Sequence, residues 1–330
     1  MKRNLINEIT AIKSRSEYNF RHVYSLQLNQ IESAFIEYFN YNDNFDKELL
    51  KYIPIATVAC FESFFRSVYK DLIDFGKPFS DNATKFNQSQ NVKFDFDIIN
   101  AIQSKVVSIG EFISHILPCN NFDDINSNLS TIVGIDFVTK IKSYQRESIF
   151  DDIKDNSRNF IENSGQIISD IKRTFELRHI YCHEFAIDIK VDQVEILRCF
   201  SNSKIFLNQT YDFIWNLLYP DAPETQVESQ RQAYDNFIES DSELAELIGA
   251  LKTASKTETI LDFKHELLDD SIKTWKEYRE IKANLDASGS EGGSIYPLLY
   301  NLSLVSTTNE KIESLKYEYA TGLRRYASRQ

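Results

Sequence analysis

Three side chains in the segment RHIYCH carry the clearest potential for chemistry. Arg178, His179 and His183 stand close together in the sequence. At about 100° per residue in a helix, histidines four positions apart share a face, and the long Arg178 side chain can bend toward them. An imidazole transfers protons near neutral pH, and a guanidinium holds phosphate oxygens. The grouping predicts phosphodiester chemistry on RNA, whose 2′-hydroxyl supplies the nucleophile, so that neither a metal nor another cofactor is required.

Two other interpretations of these residues stay open. Arg178 can pair with Glu176 or Glu184, and the two histidines are then ordinary half-buried helix residues. A pair of helix histidines can also bind zinc. Zinc needs a third protein ligand, however, and the sequence has no H-E-x-x-H segment that would nominate one.

The scarcity of glycine and proline predicts an all-α protein. The 330 residues include 9 Gly and 6 Pro, together with 24 Phe and 17 Tyr. An all-β chain needs a turn signal about every 10 residues, which this composition does not supply. Neither G-x-G-x-x-G nor G-x-x-x-x-G-K-[ST] occurs, which disfavours a dinucleotide fold and a P-loop.

The apolar segments are too short for a signal peptide or a membrane span, which needs about 18 consecutive apolar residues. The cysteines are scattered without C-x-x-C spacing: Cys60, Cys119, Cys182 and Cys199. We therefore expect reduced thiols, a cytoplasmic location and no membrane partner.

The net charge of −12 restricts how the chain can bind nucleic acid. Residues 221–330 hold 13 Lys and Arg against 20 Asp and Glu. A broad nucleic-acid surface requires a strongly basic face. Any RNA site is therefore expected to be a local basic cleft.

Hydrophobic periodicity predicts helices over most of the first 220 residues. A buried central helix is expected over about 46–75, kinked or restarted at Pro54 and ended by Gly76 and Pro78. Further helices are expected over 97–117, over 151–185 with Gly165 as a point of interruption, and over 194–218. Residues 79–96 and 119–135 are predicted to be loops.

The two prolines of YPDAPETQ, residues 219–226, predict a boundary between domains at 1–220 and 221–330. Beyond it, helices are expected over 228–252, 257–287 and 306–327. A Gly/Ser loop over 287–294 interrupts them. The expected architecture is a larger helical domain followed by a smaller one.

The R-x4-H spacing, with a polar residue directly after the arginine, resembles the motif of the HEPN superfamily (higher eukaryotes and prokaryotes nucleotide-binding). The order of segments over residues 1–220 is also similar: VACFESFFRSVYKDLID, then RHIYCH, then VEILRCFSNSKIFLNQTYDFIWNLL. The resemblance implies a HEPN-like helical bundle that forms a homodimer and brings two motifs into one cleft. It implies RNA cleavage that leaves a 2′,3′-cyclic phosphate and a 5′-hydroxyl. Arg178 and His183 match the fixed positions, and His179 matches the polar one.

Three neighbouring residues have weaker expected roles. One subgroup of the family extends the motif to R-x4-H-x-Y, but Phe185 stands at that last position, so regulation through a tyrosine there is in doubt. Glu62, on the buried helix, is a candidate to orient a histidine, or else a polar residue at a helix contact. Tyr181 is a candidate to stack on a base, or else a core tyrosine.

The C-terminal segment combines Trp275, Tyr278 and Arg279, which helical spacing puts on one face, with a loop at Gly292, Gly293 and Ser294. This pattern resembles the N-terminal domain of LprI-like lysozyme inhibitors over about residues 230–320. Secreted relatives usually carry cysteines near positions where this chain has Lys282 and Ser303. Lysozyme inhibition fits an intracellular copy poorly, and the resemblance implies instead a domain that binds a regulatory protein partner.

The leading prediction is a metal-independent endoribonuclease that serves as a toxin or antiphage-defence effector. The acidic C-terminal domain would then regulate the first domain. The alternative is a non-catalytic helical scaffold or nucleotide-binding module that acts through protein contacts, which the net negative charge favours. A metal-dependent hydrolase is the third interpretation.

Overall fold

The computed structural model describes residues 4–15, 20–37, 47–89, 94–146, 151–184, 192–256 and 263–320. Within these residues the regular secondary structure is helical, which confirms the all-α class. The chain divides into two compact units, Met1–Pro220 (unit 1) and Asp221–Gln330 (unit 2). None of the described helices is long and apolar enough to cross a membrane.

The α-helices described in unit 1 are α1 (Leu5–Lys13), α2 (Phe20–Ile31), α3 (Tyr52–Phe75), α4 (Phe79–Ala83), α5 (Phe86–Ser89), α6 (Phe96–Gln103), α7 (Ile109–Ile116), α8 (Phe122–Val133), α9 (Phe137–Ser143), α10 (Asp151–His183) and α11 (Gln193–Leu218). A π-helical segment, Glu32–Glu37, continues α2, and a 3-10 helix, Lys47–Lys51, leads into α3.

Helix α3 lies at the centre of unit 1. Its side chains Phe61 and Phe65 are fully buried. Pro54 lies in the first turn, where its missing N–H has no intrahelical partner to lose, so the expected interruption coincides with the start of the helix. Gly76 ends the helix with a φ of 105°, a left-handed conformation that favours glycine.

Aromatic rings fill the core of unit 1 around Phe206 of α11, which is fully buried. Its ring centroid lies 5.7 to 6.3 Å from those of five other rings: Phe61, Phe65, Phe122, Phe137 and Phe160. These contacts use six of the 24 phenylalanines, and each buried ring removes a large apolar area from water.

Both loops predicted in unit 1 are wrong. Residues 79–96 include the short helices α4 and α5, and residues 119–135 include α8. The Asn121 side chain accepts a hydrogen bond from the backbone N–H of Asp124 at 2.8 Å and so caps α8, and Gly134 ends it with a φ of 76°. The apolar side of α8 is buried, so tertiary packing outweighs the polar composition of the segment.

The single helix predicted over 97–117 is also wrong, because the chain breaks between α6 and α7. Lys105 adopts a φ of 58°, outside the helical region. Ser108 then starts α7 with a capping box, in which the Ser108 and Glu111 side chains bond each other's backbone N–H groups. The S-x-x-E pattern at 108–111 is the sequence signal for this break.

Helix α10 runs without interruption through Gly165 and packs antiparallel to α11. Two ion pairs join these helices near the end of α10. Asp170 pairs with Arg198, and Arg173 pairs with Glu195. The last turns of α10 are therefore held in a fixed position against α11.

Unit 2 is built from α12 (Gln226–Ala254), α13 (His265–Ala287) and α14 (Tyr296–Glu318). The predicted start of the last helix at 306 is wrong, because Pro297 fits the first turn of α14 and does not stop it. The core is small and aliphatic; its buried residues are Leu244, Leu251, Leu268, Ile272, Ile312 and Leu315.

Candidate functional site

The last turns of α10 bring Arg178, His179 and His183 together at the surface. The Arg178 guanidinium Nη1 lies 3.4 Å from His183 Nε2. The ring centroids of His179 and His183 are 5.2 Å apart. Arg178 is half-buried, whereas both histidines are exposed. The helical spacing expected from the sequence is therefore realised, and solvent reaches the histidine rings.

The contact between Arg178 and His183 requires one particular protonation form of the His183 imidazole. A guanidinium has N–H donors and no acceptor. His183 Nε2 must therefore accept the hydrogen bond through its lone pair, as it does in the neutral ring protonated at Nδ1. In this form Nε2 is the atom that can take a proton from a hydroxyl group.

Within the described residues, no carboxylate forms an ion pair with Arg178. Glu176, one of the two expected partners, instead pairs with Arg173 at 2.8 Å, and Arg173 also bonds Glu195 at 2.9 Å. Hydrogen bonds to these two glutamates raise the pKa of Arg173. The positive charge of Arg173 is therefore already neutralised by carboxylates. The guanidinium of Arg178 thus differs from that of Arg173, which two described carboxylates neutralise.

A buried carboxylate anchors the helix that carries the cluster. The Asp170 side chain accepts hydrogen bonds from Arg198 at 3.0 and 3.1 Å, from Asn202 at 2.7 Å and from Gln166 at 3.1 Å. Burial alone would raise the pKa of Asp170, but these hydrogen bonds outweigh it and hold the pKa below the ordinary value. The network joins α10 to α11 two turns before Arg178.

Tyr181 packs against the core of unit 1 and is half-buried. The Lys51 ammonium lies 5.9 Å from the centroid of its ring. Burial, followed by the charge of Glu195, raises the pKa of the Tyr181 phenol. This environment fits the packing role better than base stacking, because one side of the ring is already in contact.

Glu62 does not lie at the motif. It lines a cavity that α3 forms with α1 and α7, where His115 is the histidine present. This position gives no support to its expected role in orienting a motif histidine, which stays a prediction. Phe185, at the last position of the extended motif, lies outside the described residues.

The described residues contain no group of three or more His, Cys, Asp or Glu side chains arranged to hold a metal ion. The cysteines are unpaired; Cys60, Cys119 and Cys199 are buried, and Cys182, next to His183, is exposed. Burial raises the pKa of each of the three buried thiols to about 11.

Arg279, the arginine that the sequence pattern of unit 2 singles out, is buried inside the unit. Arg279 is 4% exposed, and its guanidinium donates to Asp241 at 2.7 Å and to Thr308 at 3.0 Å. It also lies over the rings of Phe237 and Trp275, at 4.9 and 5.3 Å from their centroids. These contacts tie all three helices of the unit together.

Tyr278 does not share this buried face, since it is 56% exposed. Of the three residues that helical spacing puts on one face, Trp275 and Arg279 contact each other, and Tyr278 is exposed to solvent. Lys282 and Ser303, near the positions where cysteines were expected in secreted relatives, both bond Asp286, at 2.7 and 2.6 Å. A polar bridge thus joins α13 to α14 at that point.

Residues 220–315 match the family model of lysozyme inhibitor LprI. The match covers most of unit 2 and supports the expected LprI-like C-terminal domain. Comparison of the chain with the curated proteins found no match. Comparison with the solved structures likewise found no match. The HEPN resemblance of residues 1–220 stays a prediction.

Proposed function

We propose that the protein is a metal-independent endoribonuclease whose reacting groups are Arg178, His183 and His179, and that it acts as a toxin or antiphage-defence effector. The observation that carries the proposal is the position of Arg178, within 3.4 Å of an exposed imidazole nitrogen and without a carboxylate partner among the described residues. A cation in this state can bind a phosphate without first breaking an ion pair.

The proposed reaction needs only the RNA and these side chains. When Arg178 turns from His183 to the phosphate, the Nε2 lone pair of His183 becomes free to accept the proton of the 2′-hydroxyl, whose oxygen attacks the adjacent phosphorus. Arg178 stabilises the negative charge that grows on the phosphate oxygens. The bond from phosphorus to the 5′-oxygen breaks, and the leaving oxygen takes a proton from an imidazolium, a role assigned to His179. The products are a 2′,3′-cyclic phosphate and a 5′-hydroxyl.

The acidity of the chain fits a small contact with the substrate. Among the described residues, two cations near the cluster are neutralised, since Lys51 pairs with Glu48 and Arg173 with Glu176 and Glu195. One protomer therefore offers few phosphate contacts. A homodimer that places two clusters in one cleft would double them, and we propose this assembly as the active form.

Unit 2 has a separate proposed role as a domain that binds a protein partner and regulates unit 1. The support for this role is the match of residues 220–315 to a family of protein inhibitors. If unit 1 is not catalytic, this binding role is the main function, and the protein is a helical scaffold.

The proposed activity is tested with the purified full chain and a 5′-labelled single-stranded RNA in excess EDTA. The variants are Arg178→Ala and His183→Ala, and the matched control is Arg231→Ala, which removes an exposed guanidinium in unit 2. We expect each motif variant to lower the cleavage rate by about a hundredfold or more, with the control unchanged.

Retention of the secondary structure by circular dichroism and of the oligomeric state by gel filtration must accompany this loss. Cleavage that persists in His183→Ala, or that depends on a divalent metal, would contradict the proposal. Absence of cleavage by every form of the chain would favour the scaffold.

A further inference from the structure

A cavity of about 480 Å³ lies between α1, α3 and α7, away from the histidine cluster. Its size falls within the range of about 300–1,000 Å³ that is typical of small-molecule sites. The lining residues are Ile9, Ile12, Lys13, Ala59, Glu62, Ser63, Arg66, Ser67, Lys70, Glu111, Ser114 and His115. Most of the accessible lining is apolar.

Helix α3 contributes a polar stripe to this cavity. Glu62, Ser63, Arg66, Ser67 and Lys70 recur at helical spacing along one side of a helix whose other sides are packed in the core. On the facing helix α1, Ile9 and Ile12 form an apolar wall. A molecule in the cavity would therefore meet polar groups on one side and hydrocarbon on the other.

The cations that line the cavity are already engaged. Arg66 Nη1 donates to the backbone carbonyls of Ser114 and His115, at 3.1 and 2.9 Å, and so caps the end of α7. Lys13 bonds Glu111 at 3.1 Å. These cations are therefore poorly placed to bind an anion.

The other charged groups near the cavity are also paired with one another. Lys70 lies 3.3 Å from Asp71 and 3.3 Å from Asp74, so that two carboxylates face one ammonium. His115 Nε2 lies 2.9 Å from a carboxylate oxygen of Glu8. Neither contact supplies a cation to Glu62.

Glu62 is the half-buried carboxylate of this cavity that has no ion-pair partner among the described residues. Arg66 stands one turn further along α3, where an i, i+4 pair could form, but its guanidinium is directed to the end of α7. A charge that loses part of its hydration without gaining a partner is costly. A bound cation would remove this cost.

We propose that the cavity between α1, α3 and α7 binds a small amphipathic amine, with its ammonium group on Glu62 and its hydrocarbon body against Ile9, Ile12 and Ala59. The hydroxyl groups of Ser63 and Ser67 stand on the same stripe to accept further N–H donors. The site is independent of the ribonuclease proposal, because it shares no residue with the cluster on α10.

The test measures binding of phenethylamine to the purified full chain by isothermal titration calorimetry. Hexylamine and cyclohexylmethylamine extend the series of amphipathic amines, and 3-phenylpropionate provides a similar ring and chain with the opposite charge. We expect at least one amine to bind in the micromolar to millimolar range, and 3-phenylpropionate not to bind. Failure of all three amines to bind at millimolar concentration would overturn the proposal, and so would binding of the acid as tightly as its amine counterpart.

Two variants assign the binding to the cavity. Glu62→Gln keeps the shape and removes the charge, so the best amine should bind about tenfold more weakly, as expected for loss of a charge-assisted hydrogen bond. Ala59→Trp fills the cavity without changing its charge and should abolish binding. The matched control Glu162→Gln, on the exposed side of α10, should leave it unchanged. Equal affinity in Glu62→Gln and in the wild type would place the amine elsewhere and overturn the assignment.

Discussion

Arg178 in unit 1 and Arg279 in unit 2 are both arginines near a cluster of aromatic or imidazole rings, but they differ in burial and in their partners. Arg178 is half-buried at the end of α10, beside an imidazole and without a carboxylate partner among the described residues. Arg279 is 4% exposed and is held by Asp241, Thr308 and two aromatic rings. A buried guanidinium held by a carboxylate, a hydroxyl group and two rings holds a fold together, whereas one that solvent reaches can bind a substrate.

The cores of the two units differ in a related way. Unit 1 is filled by aromatic rings around Phe206, and its polar residues Arg178, His179 and His183 stand outside that core. Unit 2 has a small aliphatic core and adds to it a buried arginine that pairs with the half-buried Asp241. Each unit also contains one of the two tryptophans, Trp215 or Trp275, so the unfolding of each unit can be followed separately.

The largest expected effect on stability is that of Phe206→Ala in unit 1. Removing this ring leaves a cavity at the point where five other rings meet, which should lower the free energy of unfolding by about 4 kcal/mol. Urea denaturation of a Trp275→Phe background, where Trp215 reports on unit 1, measures the change. A loss of less than about 1 kcal/mol would show that the aromatic core does not dominate this unit.

Arg279→Ala should have the next largest effect, and in unit 2. It leaves Asp241 with Lys276 alone and removes two cation–π contacts, so we expect a loss of about 3 kcal/mol. Trp275 fluorescence in a Trp215→Phe background reports it. Lys316→Ala removes exposed ion pairs to Glu243 and Glu313 and serves as the control, which should barely move the midpoint.

The stability of unit 2 should also depend on pH through the Arg279–Asp241 pair, with a smaller effect than that of Arg279→Ala. Burial raises the pKa of Asp241, but hydrogen bonds from Arg279 and Lys276 outweigh burial and hold the pKa below its ordinary value of 3.8. The carboxylate therefore stabilises unit 2 above about pH 4, and this contribution is lost as the pH falls through 3.8 and below.

Comparison of wild type with Asp241→Asn tests this dependence. The variant should be less stable by about 1.5 kcal/mol at pH 7, and the gap should close toward pH 3. Denaturation midpoints followed by Trp275 at a series of pH values provide the measurement. A gap of constant size would mean that Asp241 does not titrate with the folding of the unit.

The smallest expected effect on stability is that of Arg178→Ala. Because the guanidinium has no carboxylate partner within the part of the chain that the structure describes and is partly solvated, its removal should change the free energy of unfolding of unit 1 by less than about 0.5 kcal/mol. Trp215 fluorescence in the Trp275→Phe background measures it. A loss comparable to that of Arg279→Ala would remove the distinction between the two arginines.

The sequence predicts much of this arrangement, but not all of it. The course of α10 and the proximity of its two histidines follow from helical spacing, and the end of α3 follows from Gly76. The polar residues of α8 predict a loop there, although Ile125, Leu129 and Ile132 recur at helical spacing. The composition of a segment is thus a weaker guide than the positions of its apolar residues.

The sequence does not predict which residues on other helices pair with a given charged side chain. Glu176, two positions from Arg178, does not face it on the helix and pairs with Arg173 at i, i+3. The second partner of Arg173, Glu195, depends on the packing of α10 against α11. The cavity around Glu62 likewise depends on α1, α3 and α7, which are distant in the sequence. Local spacing identifies the side chains on one helix face, while tertiary packing decides which of them are neutralised.

The central claim, that the cluster on α10 cleaves RNA, is tested most directly by expressing the chain in bacteria and following growth and total RNA together. The forms compared are the wild type, His183→Ala and the matched histidine control His265→Ala in unit 2, at equal protein levels. The account predicts that the wild type and His265→Ala arrest growth and fragment RNA to 2′,3′-cyclic phosphate ends, while His183→Ala does neither. Equal fragmentation by His183→Ala, or intact RNA and normal growth with all three forms, would contradict it.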